Sequence, residues 1–117
     1  MSAGNLQFTT NRAYDLNEKT FTATGTLRTG RSADHFIFDN PVKVTDPAAD
    51  VTLTVPDGVE LGQRLHVNFT SDASSKTVTV DTTTGDNGSL TAAGDFVSME
   101  WCGATSGWQK LSHSTET

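Results

Sequence analysis

Two tryptophans and the only cysteine of this 117-residue chain fall within eight positions, Trp101, Cys102 and Trp108. They stand in the stretch GDFVSMEWCGATSGWQKLS, Gly94 to Ser112. Aromatic faces on a β surface can stack on sugars or bases, and a thiolate can act as a nucleophile. No basic residue adjoins Cys102 to favour its thiolate, so a structural bystander cysteine fits better than a nucleophile. Trp101 keeps register with Val97 and Met99, which makes it a core residue. Trp108 lies past a glycine turn, and tryptophan is enriched at contacts. It is therefore read as a cap on the core or a subunit-interface residue.

The other candidates are scattered. His35, His66 and His113 lie in separate segments without metal-ligand spacing. Asp34 beside His35 is a neighbour pair, with no serine or oxyanion donors marked to complete a triad. Asp46, Asp50 and Asp57 flank one segment, and Asp81, Asp86 and Asn87 another, but neither set follows a calcium-loop pattern. Asp86-Asn87-Gly88 reads as turn chemistry, with Asn and Gly supplying positive φ. No catalytic residue, metal site or cofactor is assigned, and the chain is read as a non-enzyme.

The elements that would position these residues follow from alternation. Val51, Leu53 and Val55 alternate with threonines in ADVTLTVP, as do Leu65, Val67 and Phe69 with His66, Asn68 and Thr70. Val78 and Val80 repeat the pattern before the loop TTTGDNGS. Val97, Met99 and Trp101 then share one face, and GATSG turns the chain into a short strand from Trp108 to Ser112. Earlier, Phe21–Leu27 and His35–Phe38 read as strands, and Pro41–Val44 continues the second. The fold expected is all-β, an antiparallel β-sandwich or barrel of jelly-roll-like form. Residues 1–20 read as an extended N-terminal arm carrying Leu6, Phe8 and Tyr14, and residues 21–117 as a single β domain.

Composition narrows the partners. Roughly a sixth of the residues are threonine, only 34% are hydrophobic, and the formal net charge is -6. Such a field repels nucleic acid and anionic lipid, and neither is an expected partner. No run approaches the roughly 20 apolar residues of a membrane span, and the N-terminus lacks the pattern of a signal peptide. Synthesis in a cytoplasm without export is expected, and the sequons at Asn68 and Asn87 are read as chance.

AADVTLTVPDGVELGQRLHVNF, KTVTVDT and AAGDFVSMEWCGATSGWQKLS together resemble a pattern of small virion proteins of tailed bacteriophages, over about residues 49 to 112. The pattern is a Val/Leu/Thr strand ending at proline, a glycine-introduced strand, a TVTV strand and a closing hairpin with one tryptophan on each arm. It occurs in capsid decoration (cement) proteins, head fibres and tail-fibre modules, commonly homotrimers. The resemblance implies a structural protein of the viral capsid surface, made in the bacterial host cytoplasm, that binds the major capsid protein as a homotrimer. Leu6, Phe8 and Tyr14 would then form a capsid-binding arm and Trp108 a subunit interface. The alternative is a tail-fibre or head-fibre receptor-binding module that recognises bacterial surface glycans with Trp108 and the 82–89 loop.

Overall fold

Alternation of β-branched or large apolar residues with Thr, Ser and Asn gives each strand one face that must leave water, and two such faces can satisfy each other. A computed structural model, which describes residues 14–32 and 35–114, has this form. Among the described residues it contains ten strands and no helix. They are β1 (Tyr14–Phe21), β2 (Gly25–Thr26), β3 (Thr29–Ser32), β4 (His35–Thr45), β5 (Val51–Val55), β6 (Arg64–Ser71), β7 (Val78–Thr82), β8 (Gly88–Leu90), β9 (Phe96–Trp101) and β10 (Trp108–His113). Leu6 and Phe8 of the expected arm, and Asp34, lie outside the described residues. Tyr14 opens β1.

Six strands form one sheet in the order β10-β9-β6-β4-β1, with β3 also paired to β4. The other four form a second sheet in the order β2-β5-β7-β8. Val42, Val67 and Val97 of the first sheet and Leu53, Val80 and Leu90 of the second are completely buried in one shared cluster. Each such side chain contributes roughly 1.5–3 kcal/mol of burial free energy.

The antiparallel expectation holds for β9 with β6 and β10, for β3 with β4, and for β7 with β8. Elsewhere the sheets are mixed: β1 with β4, β4 with β6, β2 with β5 and β5 with β7 all pair in parallel. The cause is the path of the chain. From β4 it crosses to the second sheet for β5, returns for β6 and crosses again for β7. Successive passes through one sheet therefore run the same way. A parallel pair needs a crossover, and here a strand of the opposite sheet supplies it where other folds use a helix.

Candidate functional site

The closing hairpin, β9 and β10, carries both tryptophans. Trp101 is 5% exposed and Trp108 wholly buried, with ring centroids 5.5 Å apart and planes at 59°. Trp108 Nε1 donates to the Pro56 carbonyl at 2.8 Å. Trp101 is the core residue its register requires. Of the two readings of Trp108, burial selects the cap on the core and removes the subunit interface: it has no surface to offer a second subunit or a sugar ring. Its indole N–H is satisfied internally, which is what lets so large a polar-tipped ring be enclosed.

The loop between β5 and β6, residues 56–63, lies over this pair. Gly58 passes so close to the Trp101 ring that a Cβ there would overlap it. Thr29 Oγ1 donates to the Asp57 carbonyl at 2.8 Å, and Val59 N–H donates to Gln63 Oε1 at 2.9 Å. Gly62 N–H reaches the Trp101 carbonyl at 3.0 Å, and Trp101 N–H the Gln63 carbonyl at 2.8 Å. The loop is thus fixed from both sides. Its apolar side chains nevertheless point outward, Val59 at 42% and Leu61 at 72% exposure. Beside Leu61 runs a groove of about 340 Å³, walled by Phe38 and Asn40 of β4 and by Glu60 to Arg64. Arg64 lies 3.9 Å from Glu100.

In the sequence this loop shows only as the end of a strand. The signal available was the pair Val59 and Leu61 inside a Pro/Gly/Asp turn, where polar residues are usual. Burial of the loop's own backbone against Trp101 is a tertiary fact.

The acidic residues hold loops. Asp46 Oδ1 accepts from Ala73 N–H, Asp50 Oδ1 from Thr77 N–H, and Asp95 Oδ2 from the N–H groups of Thr91 and Ala92, each at 3.0 Å. Asp39, 2% exposed, accepts from the Arg28 backbone N–H and Nε at 2.9 Å and pairs with its guanidinium at 2.8 Å. That pair pins the β2–β3 link to β4.

The 83–87 loop is a strap between sheets. Gly85 bridges Trp108, Trp108 N–H donates to the Thr84 carbonyl at 2.9 Å, and Lys110 N–H to Asp86 Oδ2 at 3.0 Å. A Cβ on Gly85 would overlap the Trp108 backbone, and one on Gly107 the Thr84 carbonyl. Positive φ falls at Gly85, at 115°, while neither Asn87 nor Gly88 adopts it. Asn87 works through its side chain, Oδ1 accepting from Thr82 N–H at 2.9 Å.

The remaining candidates are dispersed. His66 Nδ1 lies 2.7 Å from Ser98 Oγ, and its ring packs against Phe96 at 5.5 Å between centroids. His113 ends β10 and lies close to Gly88 and Val97. His35 begins β4, at the far end of the sheet from His113. Cys102 is exposed, its Sγ 3.6 Å from the Glu100 carbonyl. Among the described residues no three or more His, Cys, Asp or Glu are grouped to hold a metal ion, and no helix is long and apolar enough to cross a membrane. No family model and no curated protein sequence matches this chain.

Proposed function

We propose that this chain is a capsid decoration protein of the tailed-phage type, a homotrimer that binds the major capsid protein on the head surface and stabilises the shell through interface area. Its two sheets make a jelly-roll-like sandwich in this reading, and it works without catalysis or cofactor. The observation that carries the reading is the rigid loop 56–63, which holds Val59 and Leu61 out into solvent on a foundation of two buried tryptophans. A preorganised apolar knob loses little freedom on association, and that is where binding energy concentrates. Further support comes from the segment that carries the phage resemblance: residues 49–112 form β5 to β10. The charged residues support it too, since Asp39, Asp46, Asp50, Asp86 and Asp95 are committed to holding backbone in place.

The glycan-binding alternative would have to work through the 82–89 loop alone, because the Trp108 ring has no exposed face. Cosedimentation with purified expanded phage heads tests the decoration reading. Saturation at hundreds of copies per head is the expected result. Saturation at a few dozen copies or fewer, or no binding, overturns it.

A further inference from the structure

We propose that Gln63 is the positioning residue of the apolar knob: its buried amide holds Val59 and Leu61 in the arrangement that docks on the head. The inference rests on the decoration reading above and assigns the side chain on which that docking surface depends.

Gln63 is 7% exposed, beneath a loop that turns Val59 and Leu61 to water. A buried polar group is costly unless its hydrogen bonds are made. Both ends of this amide are used: Oε1 accepts from Val59 N–H at 2.9 Å, and Nε2 donates to the Thr29 carbonyl at 3.4 Å. One partner is a donor and the other an acceptor, so only an amide serves both. A glutamate would set a carboxylate oxygen against the Thr29 carbonyl, and a methionine offers neither group. The backbone that carries the amide is anchored as well, with Gln63 N–H donating to the Glu60 carbonyl at 3.1 Å and Trp101 N–H to the Gln63 carbonyl at 2.8 Å.

Three side chains from separate parts of the chain grip the loop backbone in succession. Trp108 Nε1 holds the Pro56 carbonyl, Thr29 Oγ1 the Asp57 carbonyl and Gln63 Oε1 the Val59 N–H. The first two fix the limb that enters the loop. Only Gln63 reaches a residue of the knob itself. Between them Gly58 lies against the Trp101 ring, where a Cβ would stand 2.5 Å from the ring and 2.9 Å from Gln63 Oε1. The loop therefore cannot sink further, and the bond from Gln63 N–H to Glu60 closes a turn around Leu61. Without the amide, Val59 N–H loses its partner and the knob is tied down at one side only. A segment that must be ordered on docking binds more weakly than one ordered beforehand. Gln63 acts through the placement of Val59 and Leu61, since it is itself buried under them.

Hydrogen exchange and affinity for expanded phage heads test the role. The samples are the full chain, Gln63→Met, Gln63→Glu, Leu61→Ala, and each Gln63 variant combined with Leu61→Ala. The Val59 amide is expected to be protected in the full chain and to exchange about tenfold faster in both Gln63 variants, while amides of β5 and β7 keep their protection. Head affinity is expected to fall about tenfold in each Gln63 variant, the equivalent of one hydrogen bond of ordinary net strength. In the Leu61→Ala background the same variants should lower it less than about twofold, because Gln63 and Leu61 act as one unit. Acceleration spread across β5 and β7, or an equal loss of affinity in both backgrounds, marks a merely structural amide and overturns the proposal. An unprotected Val59 amide in the full chain overturns it without any variant. A full chain that binds no heads, with Val59 protection lost in the Gln63 variants, overturns decoration and keeps Gln63 as the residue that places the knob. Heads bound equally well by the full chain and the Gln63 variants keep decoration and overturn the role of Gln63.

Discussion

Trp108 fills space at the junction of the two sheets and donates its N–H across 52 positions to Pro56, so it couples the closing hairpin to the exposed loop. Trp108→Ala is expected to cost about 3–5 kcal/mol in urea unfolding, from lost packing and a cavity. Trp108→Phe should cost clearly less, since it keeps an aromatic ring at the site and gives up the bond to Pro56 with part of the volume. Asp39 is a different case, a residue hidden at 2% exposure whose partner Arg28 keeps a side chain 55% exposed. Asp39→Ala removes three hydrogen-bonding contacts from the β2–β3 link, and a loss of about 2–4 kcal/mol in the same measurement is expected. Both residues were visible as types in the sequence. What they touch was not, because Pro56 and Arg28 are distant or separated by turns whose path the sequence leaves open.

At the scale of elements, the strap of residues 83–87 decides how the second sheet meets β10. Its bonds to Trp108 and Lys110 stand where no regular ladder joins the sheets. Asp86→Ala is expected to cost about 1 kcal/mol. It should also speed amide exchange at Lys110 by about tenfold, measured by hydrogen exchange, while amides of β5 and β7 keep their protection. Uniform acceleration across the chain would count against a local strap. The turn was legible as a turn from Gly85, Asp86, Asn87 and Gly88. Its positive φ belongs to Gly85 and not to the Asn87-Gly88 pair that turn chemistry suggests, because the Trp108 backbone leaves no room for a side chain at Gly85.

For the whole molecule, the parallel pairings set which ends of the strands lie together, and they bring the start of β1 to the same end as loop 56–63. An antiparallel arrangement of the same strands would have separated them. Binding to phage heads would accordingly depend on this placement of surfaces and not on any one contact. The all-β class, the inward faces of β5, β6, β7 and β9, and the core position of Trp101 can be read from residue order alone, because period-2 alternation records which side of a strand leaves water. Parallel pairing, the burial of Trp108 and the exposure of Val59 and Leu61 depend on how the two sheets come together. Loops such as PDGVELGQ and SDASS have the same composition whether they close a hairpin or cross between sheets, so neighbours in space are fixed by packing of the whole core.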